Sequence, residues 1–178
     1  VMFWIHGGGN TSGLKDLYDF TKMVRKHNVI VVTINYRLGP FGWFTHPAIQ
    51  DLQEGDDKTS NFGTMDIIEG LKWVQKNISL FGGDSNNVTI FGESAGGHNV
   101  YSLIASKRAE GLFHKAIAMS GYTTSISSAQ AYKQEKRSST SDFTSWNVVN
   151  LLTNNLLTNN QQINLNKQEI RKILLSTS

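Results

Sequence analysis

The chain has no cysteine among its 178 residues. A disulfide framework and a thiolate metal site are therefore excluded, although cysteine content alone leaves the compartment open. Proline is almost as scarce: Pro40 and Pro47 are the full complement, and both fall between residues 35 and 61. No apolar run approaches the ~20 residues that a membrane-spanning helix needs, and no signal-peptide pattern is visible. Charge of one sign is also lacking. A net charge of +3 is too mild to argue for nucleic acid or a membrane surface as partner. Hydrophobic residues make up 39% of the chain, which is low for a globular protein, and the polar last third accounts for much of the deficit. The length still suffices for one domain with a real core.

What the sequence does have is glycine where apolar runs end. Val88-Thr89-Ile90-Phe91 is β-branched or aromatic and predicts a short buried strand. Gly92-Glu93-Ser94-Ala95-Gly96-Gly97-His98 follows, and predicts a turn too tight for bulky residues and then a helix. The glycines flanking Ser94 carry no Cβ, so the turn can close. That geometry lifts the Ser94 hydroxyl above the end of a sheet. It also sets Ser94 at a helix start, where N–H groups and the helix dipole favour negative charge. This is the G-x-S-x-G pattern of a nucleophile elbow. The bare pattern arises by chance at roughly 3 in 10,000 positions. The strand before it and the helix after it weigh against a glycine-rich turn that merely packs a helix on a sheet.

A second apolar run, Val1-Met2-Phe3-Trp4-Ile5, also ends in glycine, at His6-Gly7-Gly8-Gly9. A serine that attacks an ester creates an oxyanion, which needs hydrogen-bond donors already in place. Backbone N–H groups serve if the chain comes close, which glycine permits. Alone, three glycines could equally form a flexible turn or a phosphate loop. A phosphate loop calls for Gly-Lys-Ser/Thr, which is absent here. The two motifs together fit one mechanism.

In chain order, residues 1–5 predict a strand and 6–13 a glycine loop. Leu17, Phe20 and Val24 are spaced for a helix from Asp16 to Lys26. Val29–Ile34 predicts a parallel strand covered on both faces, and 35–61 reads as a long loop. Thr64–Ile78 predicts an amphipathic helix with Met65, Ile68, Leu71, Trp73, Val74 and Ile78 as its apolar positions. The elbow strand and a helix from Ser94 to Ser106 come next, and Lys115–Met119 predicts a further strand. The alternation is α/β, a mainly parallel sheet flanked by helices. Beyond Tyr122, Ser, Thr, Lys, Asn and Gln dominate, with helices expected near 146–157 and 167–175. Leu151–Asn160 is a tandem five-residue duplication, too short for a repeat fold. Ile170, Ile173 and Leu174 share a face that reads as packing, and no chemistry is visible there.

The chain resembles the type-B carboxylesterases, the family that includes the cholinesterases, and so a part of an α/β-hydrolase. The resemblance is dense over residues 1–121. It rests on Val1 to Gly9, Asn35-Tyr36-Arg37-Leu38-Gly39, Leu71-Lys72-Trp73-Val74-Gln75, Phe81-Gly82-Gly83-Asp84 and Val88 to Gly97, all in the family's order and spacing. Leu112 to Ala116 and Met119-Ser120-Gly121 extend it. It implies that Ser94 is the nucleophile and that Gly8, Gly9 and Ala95 donate N–H groups to the oxyanion. Gly7 and His6 line the site, with His6 shaping the loop rather than transferring protons. Glu93 either lines a gorge and favours cationic charge there, or fills a variable elbow position. Asn35, Arg37 and Asp66 read as structural hydrogen-bonding or ion-pair residues. Residues 1–121 then form the nucleophile-bearing part of the domain. Residues 122–178 continue it as a helical and loop insertion, a lid or a gorge wall. The resemblance implies a small-molecule ester substrate and no metal or cofactor, and leans towards a secreted or periplasmic compartment. Two departures stand out near the motifs: Ser85 replaces a usual proline, and Asn10 stands where an aromatic or small residue is common. Either could alter the gorge entrance.

The weightiest absence is a catalytic partner. A serine hydroxyl is a poor nucleophile unless a base takes its proton, and in this fold the acid and the histidine follow the serine. Only His98 and His114 follow Ser94. His98 lies one turn along the same helix, and His114 occupies a variable position. The candidate acids Asp142 and Glu169 lie in the poorly matching tail. The expectation is an internal fragment of a protein several times longer, inactive and aggregation-prone alone, with acid and base beyond Ser178. Two other readings remain: a non-catalytic relative used for adhesion or binding, and a hydrolase of amides, carbamates or lipids.

Overall fold

The computed structural model describes residues 1–132, 145–156 and 165–176; Asp142 and the end of the Leu151–Asn160 duplication lie outside them. The elements in order are β1 (Met2–Ile5), α1 (Thr21–His27), β2 (Val31–Thr33), α2 (Gly39–Gly42), α3 (Pro47–Gln50), α4 (Phe62–Asn77), β3 (Thr89–Glu93), α5 (Ala95–Ala105), β4 (Lys115–Met119), α6 (Ser128–Tyr132), α7 (Ser145–Leu156) and α8 (Lys167–Ser176). The strands form one parallel sheet in the order β2-β1-β3-β4. β1 pairs β3 with Trp4 opposite Phe91 and Ile5 opposite Gly92. Because that pair is parallel, both glycine segments leave the sheet side by side at its C-terminal end.

Alternation along the strands divides the packing between two faces. Phe3, Ile5, Val88 and Ile90 are fully buried in one cluster with Ile67, Ile68, Leu71 and Val74 of α4 and Val100 and Leu103 of α5. Each such side chain contributes about 1.5–3 kcal/mol on burial. On the other face Trp4 packs edge-on to Tyr18 and Phe20, both at 5.2 Å between ring centroids, and tilts against Phe91 at 4.8 Å.

Several boundaries differ from the sequence reading. α1 begins at Thr21, not Asp16, because Asp19 Oδ1 takes the Thr21 N–H at 2.9 Å and turns the chain there. β2 is an edge strand of three half-buried residues, not a strand covered on both faces. Trp73 of α4 is 48% exposed, and Ile67 fills the core position instead. The expected long loop holds α2, α3 and a 3₁₀ turn at Gly55–Thr59. β4 is the other edge of the described sheet, and its Ile117 and Met119 are 45% and 38% exposed.

The chain divides into two compact units. One comprises Val1–Trp43 and Asn61–Thr124 and contains the sheet. The other comprises Phe44–Ser60 and Ser125–Ser178 and is helical where described. In the second unit Lys167 pairs with Asp51, Arg171 Nη1 donates to the Leu52 carbonyl at 3.1 Å, and the Thr45 N–H donates to Ser145 Oγ at 3.2 Å.

Candidate active site

Ser94 stands between β3 and α5 with φ 56° and ψ −120°. That backbone is strained for a residue with a Cβ. It persists because the surroundings over-determine it: the Ser94 N–H donates to the Met119 carbonyl at 2.9 Å, and its carbonyl accepts the His98 N–H at 3.0 Å. The flanking glycines are needed for a packing reason. A Cβ on Gly92 would lie 2.5 Å from the Gly96 carbonyl group, and one on Gly96 would overlap the Ile5 carbonyl oxygen.

The glycine loop comes directly against this turn. A Cβ on Gly7 would lie 2.7 Å from the Glu93 carbonyl oxygen, 3.1 Å from its carboxylate and 3.2 Å from Ser94 Cβ. In a trans peptide the C=O and N–H point in opposite directions, so a tied carbonyl aims the N–H of the next residue. The Gly7 carbonyl accepts from His6 Nδ1 at 2.8 Å. The Gly8 carbonyl accepts the N–H groups of Thr11 and Ser12 at 3.1 and 3.0 Å. The peptides carrying the Gly8 and Gly9 N–H groups are thereby oriented. Among the described residues no acceptor pairs with those two N–H groups or with the Ala95 N–H at the start of α5.

The description of the Carboxylesterase family matches residues 1–174. The chain belongs to that family. It is similar to the para-nitrobenzyl esterase of Bacillus subtilis (strain 168), 47% identical over 133 residues, which are 74% of this chain and 26% of that one. It is 48% identical over 122 residues to a cocaine esterase of Homo sapiens, covering 68% of this chain and 20% of the relative. A solved structure of a thermophilic PNB esterase superimposes with a TM-score of 0.65 at 47% identity, covering 73% of this chain and 27% of that one. The sheet and helices are thus those of an α/β-hydrolase esterase, and the chain spans about a quarter of the length of these relatives.

In this carboxylesterase chain, His6 is wholly buried and stacks on Tyr36 with ring centroids 4.3 Å apart. Donation to the Gly7 carbonyl puts its proton on Nδ1. Nε2 is left buried and without a partner among the described residues. Burial pushes the Tyr36 hydroxyl up to about 12, with the polar Asn99 side chain offsetting part of the rise. That hydroxyl donates to the His6 carbonyl at 2.5 Å.

Neither of the later histidines meets Ser94. His98 stacks on Tyr122 at 4.6 Å, and its Nδ1 pairs with the Tyr122 carbonyl at 2.6 Å. His114 Nδ1 accepts the Val88 N–H at 3.2 Å, which places it where β3 begins, the sheet end opposite Ser94. Glu169 belongs to the other unit, where its carboxylate accepts the Asn166 N–H at 2.8 Å. Of the two departures, Asn10 is at the site and Ser85 is not. Ser85 precedes β3, and its carbonyl accepts from Gln75 at 2.9 Å. Asn35 Oδ1 accepts the Lys15 N–H at 2.8 Å.

Arg37 and Asp66 form an ion pair, one of the two roles that the resemblance implied for them. Arg37 Nε and Nη2 meet the two carboxylate oxygens at 2.8 and 2.7 Å, and the Arg37 N–H adds a third bond at 2.9 Å. Burial alone pushes the Asp66 carboxyl up. The hydrogen bonds and charge of Arg37 outweigh it and hold the group below its ordinary value. The sequence reading missed the bond between Asn99 Nδ2 and Asn10 Oδ1, 2.9 Å long and spanning 89 positions.

Proposed function

We propose that this chain carries the nucleophile-bearing part of a serine carboxylic ester hydrolase that works through an acyl-enzyme. The observation that carries the reading is the packing of Gly7 against Glu93 and Ser94. It sets glycine amides whose preceding carbonyls are tied beside a strained serine at a helix start. Ser94 Oγ attacks the carbonyl carbon of a small-molecule ester. A histidine, held by a carboxylate, takes the hydroxyl proton, and both come from chain outside residues 1–178. The negative oxygen settles among the N–H groups of Gly8, Gly9 and Ala95, where losing one donor costs about 100- to 1000-fold in rate. The alcohol leaves with the histidine's proton. Water then attacks the acyl-enzyme and the carboxylic acid departs. The scheme calls on no metal or cofactor. Glu93 lines the site with its carboxylate beside Gly7. Support for a longer parent comes from the relatives, whose length this chain spans only in part. Among the described residues no helix is long and apolar enough to cross a membrane.

Fluorophosphonate labelling tests the reading. In the full-length protein the probe should attach to the peptide containing Ser94. Ser94→Ala should abolish labelling and lower ester turnover by about 10,000-fold or more. Turnover unchanged in Ser94→Ala would sink the proposal, and an unlabelled, inactive full-length protein would favour a binding role.

A further inference from the structure

One buried asparagine holds the far end of the glycine loop. Asn99 lies on α5, the helix that begins beside Ser94, and is 1% exposed. Its Nδ2 donates to Asn10 Oδ1 at 2.9 Å. Asn10 directly follows Gly9, holds a left-handed φ of 59°, and is fixed on its other side by the Gly39 N–H, which donates to its carbonyl at 2.6 Å. At the loop's other end the Tyr36 hydroxyl donates to the His6 carbonyl at 2.5 Å. The residues on either side of the three glycines, His6 and Asn10, are therefore each held by a side chain from outside the loop.

We propose that Asn99, acting through Asn10, is a positioning residue that sets the oxyanion-binding amides of the glycine loop against Ser94. The proposal rests on the reading of Gly8 and Gly9 as oxyanion donors. Three consecutive glycines have more backbone freedom than any other tripeptide. Oxyanion donors, by contrast, act only if they are already in place when charge develops. The loop's own bonds, from His6 Nδ1 to the Gly7 carbonyl and from Thr11 and Ser12 to the Gly8 carbonyl, fix its internal shape. They do not fix its distance from the nucleophile. The β1–β3 pairing does so at the Gly7 end, and α5 does so at the Asn10 end, because the helix that starts beside Ser94 also carries Asn99.

The test uses the full-length protein with p-nitrophenyl acetate as substrate and an aryl trifluoromethyl ketone as tetrahedral-adduct inhibitor. Because Asn99 is buried, Asn10 is changed first. Asn10→Gly removes the acceptor and leaves the left-handed backbone unstrained. The expected result is a kcat lower by about 10- to 100-fold, since small misplacements of catalytic groups cost that much. KM should stay unchanged, the melting midpoint should fall only modestly as the buried Asn99 amide loses its acceptor, and ketone affinity should weaken by the same factor as kcat/KM. Adding Asn99→Ala to Asn10→Gly should cost little more, because two residues acting as one contact are non-additive. Full kcat and full ketone affinity in Asn10→Gly would overturn the proposal. So would a loss confined to the melting midpoint, which marks a purely structural bond. Ser94→Ala separates the two levels. An inactive Ser94→Ala beside a fully active Asn10→Gly breaks only the positioning role, whereas an active Ser94→Ala breaks the nucleophile reading beneath it.

Discussion

The two units hold their shape by different means. In the sheet unit the decisive contacts are backbone against backbone. Gly92 and Gly96 let β3 and α5 close to a distance that no side chain would allow, and Gly97 and Gly121 do the same between α5 and the chain after β4. In the helical unit the contacts are made by polar side chains at element ends. His46 caps α3 by accepting the Ala48 N–H at 3.1 Å, and Asn166 caps α8 by accepting the N–H groups of Gln168 and Glu169 at 2.9 and 3.1 Å. Close backbone contact admits one residue type. A cap admits several and costs less to lose. The first unit should therefore fail abruptly when a glycine is changed, and the second should yield in small steps.

Gly96→Ala is the severest way to break that contrast. The new Cβ would overlap the Ile5 carbonyl oxygen and stand 2.8 Å from the His6 carbonyl oxygen. Both are backbone atoms of β1 and its loop, which cannot swing aside as a flexible side chain could. Overpacking of this kind costs about 3 kcal/mol or more. Denaturant unfolding of the full-length protein should show that loss, together with loss of fluorophosphonate labelling at Ser94. A variant as stable as the parent would mean that β1 and α5 are not locked together.

The same contrast explains what could be read from the sequence. β1, β3 and α5 were legible because a buried strand entering a strained turn demands particular residues, β-branched or aromatic and then glycine, and β4 was legible from its short apolar run before Ser120-Gly121. α4, α7 and α8 were legible from helical spacing, although Trp73 was misassigned because an aromatic at a plausible position says nothing about what covers it. α2 and α3 were not legible. Each is four residues long, too short for any periodicity, and their prolines at the first turn read equally well as loop. At the site, Ser94 and the glycine loop were visible as separate motifs. Their contact through Gly7 was not, because it depends on β1 pairing with β3. The Asn10–Asn99 bond left no signal at all: two asparagines 89 positions apart carry no spacing that marks them as partners.

Asn166→Ala sharpens the comparison from the other side. It removes the acceptor for two N–H groups at the start of α8 and disturbs the return bond from the Asn166 N–H to Glu169. Losing such a cap costs about 1 kcal/mol. Amide exchange should speed up in α8 while protection in β1, β3 and α5 stays as in the parent. Equal loss of protection in the strands would show that the two units unfold as one.

Acid should separate the units with the smallest perturbation. Burial, and then the charge of Lys167, hold His46 below the ordinary histidine value. A depressed folded-state value means that the unfolded chain binds the proton more readily. The stabilising contribution of neutral His46 is thus present above the unfolded value near 6.5 and is lost as pH falls through the lower folded value. The chemistry agrees, since Nδ1 must stay unprotonated to accept from Ala48. Asp66 has the same sign in a lower window. Its ionised form, paired with Arg37, stabilises the sheet unit above the unfolded value near 3.9 and loses that contribution as pH falls further. Both members of the pair are partly exposed, so the effect is about 1 kcal/mol or less. Hydrogen exchange followed from pH 7 to pH 3 should show α3 loosening first and the Arg37 segment only below about pH 4. His46→Asn should remove the upper step and Asp66→Asn the lower. A single step shared by both units, and insensitive to either substitution, would show that they titrate and unfold as one body, leaving the contrast between locked backbone and capped helix without energetic meaning.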